Sequence, residues 1–99
     1  MHINLRDINF EWDDNKNLIN IRKHGISFEE AISVFLFEDS VVFDDPDHTV
    51  QEERFLIIGF SDRLQLCIVS WCERTGNVIR IISARKATKS ETEDFMNYS

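Results

Sequence analysis

Two basic segments of the chain contain side chains that can act on a phosphate ester. Residues 74–89 carry five cations and no acid: Arg74, Arg80, Arg85, Lys86 and Lys89. Arginine binds a phosphate through two parallel hydrogen bonds. The motif Lys23-His24-Gly25 adds a histidine, whose ordinary pKa of about 6.5 suits proton transfer near neutral pH. Together the two segments predict chemistry on a phosphodiester.

Lys23 and His24, and also the neighbouring residues Glu53 and Arg54, have a purely structural interpretation as well. Lys23 and His24 precede a glycine where a helix is expected to end, and cations there interact favourably with the helix dipole. Glu53 next to Arg54 is typical of an exposed ion pair, which contributes about 0–1 kcal/mol. A carboxylate near several arginines keeps a low pKa, so it is a poor acid, although it can act as a weak base.

The charge of the chain is unevenly distributed. The formal net charge is −7. Residues 1–50 hold eleven acidic and four basic side chains, whereas residues 51–99 hold seven of each. Electrostatic screening acts over about 8 Å at physiological salt, so a surface groove responds mainly to its local charges. The acidic total therefore does not exclude a polyanionic partner.

Capping signals predict three helices. The first is capped by Asp13 or Asp14 and ends at Gly25, with apolar positions at Leu18, Ile19 and Ile21. Ser27-Phe28-Glu29-Glu30 is a capping box that starts a second helix running to about residue 37. Thr88-Lys89-Ser90-Glu91 is another capping box, which starts a short C-terminal helix expected to bury Phe95.

Period-two alternation predicts a sheet. A first strand covers residues 8–12, with Phe10 and Trp12 on its buried side, and His2 is assigned to a frayed terminus. Four more strands are predicted at residues 41–43, 55–60, 64–71 and 78–84, and short loops make the last three an antiparallel meander. The element order predicts an α+β fold with its helices on one face of the sheet.

The placement of the arginines on the last strand depends on its regularity. Arg80 alternates with Ile79 and Ile81, so its guanidinium leaves their apolar face. Strict alternation would return Arg85 to that apolar face. Either the strand ends or bulges near Ser83, or Arg85 lies beyond the edge of the core.

The composition is typical of one small domain over residues 1–99. With 42% hydrophobic residues, a single core can support the fold without metals or disulfides. Cys67 and Cys72 have no neighbouring histidine pair, so no metal site is expected, and reduced thiols suit the cytoplasm. The longest apolar runs are shorter than the about 20 residues that span a membrane. No glycine-rich phosphate loop or cofactor motif is present, so no cofactor is expected and a metabolic enzyme has little support.

The ordered set of motifs resembles the BrnT toxins over roughly residues 8–95. The motifs in common are Phe10-Glu11-Trp12-Asp13, Arg22-Lys23-His24-Gly25-Ile26-Ser27-Phe28-Glu29-Glu30-Ala31, Asp45-Pro46-Asp47-His48, Glu52-Glu53-Arg54-Phe55, Glu73-Arg74 and Arg80-Ile81-Ile82-Ser83-Ala84-Arg85-Lys86-Ala87. Each motif is common by itself, but the set is specific. The resemblance implies a compact RelE-like fold: a mostly antiparallel sheet with two N-terminal helices and a short C-terminal helix packed on it.

The resemblance also implies an activity and a set of residues. BrnT proteins are the toxins of bacterial type II toxin–antitoxin pairs and stop growth by cutting RNA. We expect a metal-independent endoribonuclease that uses the ribose 2′-hydroxyl as nucleophile. The motif matches assign catalysis to six residues and phosphate binding to two more. The catalytic set is Lys23, His24, Glu53, Arg54, Arg80 and Arg85, and the phosphate-binding pair is Arg74 and Lys86.

The implied partners are a BrnA-type antitoxin and RNA, with operator DNA contacted only through the antitoxin complex. The acidic first half departs from a typical ribonuclease, notably at Asp44, Asp45 and Asp47. That acidic surface could dock a basic stretch of the antitoxin. Alternatively, this copy is a catalytically weak or inactive binding module that acts as a co-repressor with its antitoxin.

Overall fold

The computed structural model describes residues 1–46 and 53–98. It contains six strands and three α-helices, with a 3₁₀ turn (Val34–Leu36) after the second helix. In chain order the elements are β1 (His2–Leu5), β2 (Ile8–Glu11), α1 (Asp14–His24), α2 (Phe28–Ser33), β3 (Val41–Asp44), β4 (Phe55–Phe60), β5 (Leu66–Arg74), β6 (Val78–Lys86) and α3 (Lys89–Tyr98). The α+β class and the antiparallel meander of the last three strands are confirmed.

All six strands belong to one sheet, in the order β1-β2-β6-β5-β4-β3. Neighbouring strands are antiparallel except β2 and β6, which are parallel. The β2–β6 ladder covers residues 78–80 of β6. Beyond Arg80, α1 lies beside β6, and this position matters for the site described below.

One face of the sheet, here called the core face, packs against α1 and α2. Phe10, Trp12 and Phe28 are buried there, and the indole of Trp12 meets the Phe28 ring edge to face at 6.2 Å. The predicted burial of Phe10 and Trp12 is therefore confirmed. The sheet contributes alternate residues to the same cluster, including Ile57, Val69, Trp71, Ile81 and Ala84.

The N-terminus differs from the sequence prediction. His2 begins β1, which pairs antiparallel with β2, instead of lying in a frayed end. The connecting turn places Arg6 and Asp7 at φ 51° and 66°. A two-residue hairpin needs positive φ at both positions and is normally marked by Asn-Gly or Asp-Gly. Arg6-Asp7 lacks that signal, which explains why this strand was missed.

The predicted helix ends are confirmed where a capping residue marks them, whereas the end of α2 differs from the prediction. Asp13 caps α1 by accepting from the amides of Asn15 and Lys16, and Gly25 ends it at φ 73°. Ser27 accepts from the amide of Glu30 at 3.0 Å and so caps α2. α2 ends at Ser33, earlier than predicted, and the chain tightens into the 3₁₀ turn.

The carboxylate of Glu30 does not complete the predicted capping box. It is buried and accepts from the Ser61 hydroxyl at 2.6 Å and from the Gln65 amide at 2.8 Å. Glu30 thus ties α2 to the turn between β4 and β5. This turn includes Leu64, which is 83% exposed at φ 60°, so β5 begins at Leu66 and not at residue 64.

The third helix lies on the opposite side of the sheet, here called the open face. Phe95 of α3 meets Phe60 of β4 at 6.0 Å between ring centroids, and Phe60 alternates with the core-facing Gly59. No residue of α3 is fully buried, so the expected burial of Phe95 is only partial. The prediction that all helices share one face is therefore wrong for α3.

A β-bulge decides the direction of Arg85. The pairing of β5 with β6 passes from Ser70 opposite Ser83 to Trp71 opposite Ile81, which leaves Ile82 as an additional residue. Ile81 and Ala84 consequently both face the core. Of the alternatives that the sequence left open, the structure shows a bulge near Ser83. Arg85 therefore lies on the open face, as do Ser70 and Ser83.

Two further properties concern the described part of the chain. Cys67 and Cys72 are both buried in β5, and burial raises the pKa of the Cys67 thiol to about 11. The longest described helix has 11 residues. A helix needs about 20 residues to cross a membrane, and none of those described has the required length and apolarity.

Candidate active site

A cleft of about 490 Å³ opens on the open face of the sheet, beside the second half of β6. Its walls come from the end of α1, from the segment before β4 and from the start of α3. The lining includes three of the basic side chains singled out from the sequence, together with two acidic ones: His24, Arg54, Arg85, Asp45 and Glu91. Ser70 and Ser83 of the paired strands form part of the floor.

Asn20 holds α1 against β6 and so brings His24 to this cleft. The Asn20 side chain donates to the carbonyl of Ala84 at 2.8 Å and accepts from the amide of Ala84 at 3.1 Å. It also donates to the carbonyl of Ile26 at 2.8 Å. The buried Asn20 amide therefore hydrogen-bonds to the backbone of β6 as a neighbouring strand would. It does so in the part of β6 that β2 does not pair with. His24, one turn later, is half-buried at the cleft.

Arg85 is held in a bidentate ion pair with Glu91 of α3. Its two terminal nitrogens donate to the two carboxylate oxygens at 2.7 and 2.8 Å. The hydrogen bonds from Arg85 lower the pKa of Glu91 to about 2, and the same contact raises the pKa of Arg85. Glu91 also completes the predicted capping box with Thr88, whose amide donates to it at 2.8 Å. Helix capping and arginine binding thus use one carboxylate.

Arg54 reaches the cleft from the residue before β4. Its carbonyl accepts from the amide of Asp45 at 3.0 Å, which closes the end of the β3–β4 ladder. Glu53 is exposed and lines a smaller pocket of about 80 Å³ with Asp44, Arg54 and Phe55. Glu53 therefore lies beside the cleft and does not line it.

Arg80 occupies a different place on the open face. Its guanidinium forms an ion pair with Glu11 of β2. The pKa of Asp13 is lowered, mainly because its carboxylate accepts from the amide of Lys16, and the charge of Arg80 contributes to this shift. Arg80 is therefore near the start of α1, whereas His24 is at its end. Five residues of strand separate Arg80 from Arg85, a span of about 15 Å.

The comparisons with known proteins identify the family and a protein of similar fold. Residues 12–91 match the family model described as "Ribonuclease toxin, BrnT, of type II toxin-antitoxin system". The chain belongs to the BrnT family. The solved structure of the Brucella abortus ribonuclease toxin BrnT is similar, with 27% identity, a TM-score of 0.64 and coverage of 81% of this chain and 96% of that one. No match was found among the curated proteins.

Family membership places this BrnT protein among the ribonuclease toxins of type II systems, which implies an antitoxin partner. Of the eight site residues predicted from the sequence, the structure brings three to one cleft: His24, Arg54 and Arg85. Lys23 and Lys86 are exposed and adjacent in sequence to His24 and Arg85. Arg74 is exposed at the far end of the β5–β6 ladder, opposite Val78.

Sequence reasoning missed two residues that shape the site of this BrnT chain. Asn20 lies between Ile19 and Ile21, and the helix buries the amide while Leu18 and Ile19 remain more than half exposed. No pattern in the sequence indicates that Asn20 is buried and that the apolar residues beside it are exposed. Glu91 was identified as a cap, but its contact with Arg85 was not. Their separation by only six residues was the sequence feature that could have indicated this contact.

Several motif residues of the family resemblance lie outside the described part of the chain. These are Asp47, His48 and Glu52. Within residues 1–46 and 53–98, no group of three or more His, Cys, Asp or Glu side chains is placed to hold a metal ion.

Proposed function

We propose that this BrnT protein is an endoribonuclease that cuts RNA by attack of the ribose 2′-hydroxyl, with His24, Arg54 and Arg85 acting in the cleft. The proposal rests on the observation that these three side chains line one cleft. They come from α1, from the segment before β4 and from β6, and they meet in an otherwise acidic protein. Because the substrate supplies its own nucleophile, the reaction is proposed to need no metal ion.

Each group has a distinct task in this reaction. His24 accepts the proton of the 2′-hydroxyl, whose oxygen then attacks the neighbouring phosphorus. The bond to the 5′-oxygen breaks, that oxygen takes a proton from solvent, and a cyclic 2′,3′-phosphate remains. Negative charge grows on the phosphate oxygens during attack. Arg54 and Arg85 stabilise that charge through hydrogen bonds already oriented before reaction.

Glu91 orients Arg85 for this task and is assigned as a positioning residue. Arginine carries five N–H donors. Two are directed to Glu91, and one more reaches the carbonyl of Lys86 at 3.3 Å. Two donors remain for a phosphate. A fixed guanidinium loses less conformational entropy on binding than a free one.

The remaining predicted cations receive secondary roles. We assign Lys23 and Lys86 to phosphates next to the scissile one, because both are exposed and adjoin cleft residues in sequence. We assign Arg80 to its ion pair with Glu11 and not to the cleft. Glu53 remains a weaker second candidate for the base, since it lines only the neighbouring pocket.

Cleavage of RNA by the purified protein tests the proposal. We expect His24→Ala and Arg85→Ala each to lower the cleavage rate by about 10²-fold, the typical cost of losing one such group. His2→Ala and Arg63→Ala are matched controls, because both residues are exposed outside the cleft. Activity should persist in EDTA. Full activity of both cleft variants, or complete loss in EDTA, would contradict the mechanism.

The cellular role follows from the same assignment. We propose that a BrnA-type antitoxin inhibits the protein in the cytoplasm and that operator DNA is contacted only through the antitoxin complex. The family supplies the antitoxin partner.

One observation favours a second candidate function, a catalytically weak co-repressor module. Asp45 and Glu91 formally balance the charges of Arg54 and Arg85 in the cleft. A chain of this second type would bind its antitoxin and support operator binding while cutting no RNA. Inducing the toxin alone in bacteria separates the candidates, because only a ribonuclease causes growth arrest with loss of RNA.

A further inference from the structure

An apolar groove of about 470 Å³ lies between β3 and α3, next to the cleft. Val41 and Phe43 form one wall, Ile58 and Ile68 the floor, and Phe95 and Tyr98 the other wall. A smaller extension of about 220 Å³ continues past Phe60 and Met96. We name the two sections together the apolar groove.

The side chains of the apolar groove are unusually exposed for their type. Met96 is 60% and Tyr98 73% exposed, and no residue of α3 is fully buried. β3 is the last strand in the sheet order. A contiguous apolar surface beside an edge strand is typical of a protein-binding site.

The charges around the groove determine what kind of partner fits it. Its lining includes Asp39, Glu91 and Asp94, and among the described residues no lysine or arginine lines it. The neighbouring cleft, in contrast, is lined by Arg54 and Arg85. An acidic, apolar groove repels nucleic acid and attracts a segment that carries both apolar and basic side chains.

We propose that the apolar groove is the docking site of a basic, amphipathic segment of the antitoxin. The family membership supplies this partner, and the charge of the groove specifies its chemistry. The inference rests on the proposed antitoxin-controlled ribonuclease function. Apolar side chains of the segment fill the space between β3 and α3, and its lysines or arginines face Asp39 and Asp94.

Docking in this groove also explains inhibition. Phe43, Ile68 and Glu91 line both the groove and the cleft. A segment seated on them covers the adjoining edge of the cleft and excludes the RNA strand. A basic side chain near Glu91 competes with Arg85 for that carboxylate and so disturbs the orientation of the guanidinium.

The exposed apolar side chains of α1 offer a different surface. Leu18, Ile19 and Ile21 are exposed there. The same helix carries Lys16, Arg22 and Lys23, so this surface lacks the acidic lining that attracts a basic segment. It serves as an internal control.

Matched charge reversals on α3 provide the first test. Asp94 lines the groove, whereas the adjacent Glu93 is exposed and does not appear in its lining. We expect Asp94→Lys to weaken binding of the purified cognate antitoxin by about tenfold or more relative to Glu93→Lys. Isothermal titration calorimetry at low and high salt measures the difference, which should shrink at high salt.

A second pair tests the apolar contact. Met96→Lys should weaken antitoxin binding, whereas Leu18→Lys, at a comparably exposed position of α1, should not. Thermal unfolding verifies that both variants fold. RNA cleavage without antitoxin is measured in parallel and should match wild type in Met96→Lys, so a failed nuclease assay remains distinguishable from failed docking.

Three results would overturn the inference. Equal antitoxin affinity within each matched pair would exclude the groove. Loss of binding in Leu18→Lys alone would place the partner on α1. A dimer of the toxin alone that dissociates on Met96→Lys would show that a second copy of this chain occupies the groove.

Discussion

At the scale of single residues, the Arg85–Glu91 pair links the stability of α3 to the proposed chemistry. Glu91 accepts from Arg85 at two oxygens and from the Thr88 amide. Its carboxylate is therefore stabilised in the charged form, and its pKa falls from 4.5 to about 2. A carboxyl group with a lowered folded-state pKa stabilises the fold above its unfolded pKa and loses that contribution as the pH falls through the folded value.

Glu91→Gln should therefore destabilise the protein at neutral pH and not near pH 2. The side chains of Arg85 and Glu91 are 42% and 32% exposed, so solvent screening limits the effect to about 0.5–1 kcal/mol. Urea unfolding of the wild type and the variant across this pH range measures it. Glu93→Gln is the control and should show no such difference. A pH-independent loss in Glu91→Gln would contradict the assignment to charge.

At the scale of elements, the bulge in β6 and the Asn20 contact decide which side chains meet. The bulge turns Arg85 away from the core while Ile81 and Ala84 stay buried. Asn20 fixes α1 along the uncovered part of β6, which places His24 opposite Arg85. Neither feature adds a catalytic group, but both position one.

Asn20→Ala should cost about 2–4 kcal/mol in free energy of unfolding, because it leaves buried backbone groups of Ala84 and Ile26 without their partner. We also expect a fall in RNA cleavage, since the end of α1 loses its attachment. Thermal and urea unfolding measure the stability. Asn15→Ala, at an exposed position of the same helix, is the control. Equal stability of the two variants would show that Asn20 does not anchor the helix.

At the scale of the whole molecule, the protein combines a net charge of −7 with a cleft in which two arginines lie near two acidic side chains. For the proposed RNA substrate, the long-range field is repulsive, whereas the arginines are attractive at short range. We therefore expect acidic residues near the cleft to limit the association rate. Asp44 is exposed and shares a pocket with Arg54. Among the described residues it is therefore the acidic side chain best placed to affect the association rate.

Asp44→Asn should increase kcat/KM for RNA at low salt by about twofold. One unit charge acting over about 10 Å of water contributes about 0.4 kcal/mol, which corresponds to that factor. The gain should disappear at high salt, because screening shortens the range of the interaction. Asp7→Asn, in the distant β1–β2 turn, is the control. A salt-independent change would argue for a direct contact instead.

The elements with strong local signals were predictable from the sequence. Asp13, Ser27 and Thr88 cap helices where expected, since a cap depends only on residues a few positions away. Alternation identified the strands from β3 onward and the buried side of β2. β1 was missed because its turn lacks the usual residues, and α3 was assigned to the wrong face because capping signals carry no information about faces.

The sequence by itself determined the family, the secondary-structure elements from β2 onward and the basic residues from which a site can be built, because these depend on short-range patterns and ordered motifs. Only the tertiary structure decided which cations meet. It joined His24, Arg54 and Arg85 in a cleft and paired Arg80 with Glu11. The physical reason is that the bulge, the parallel β2–β6 pairing and the buried amide of Asn20 act between residues far apart in the chain.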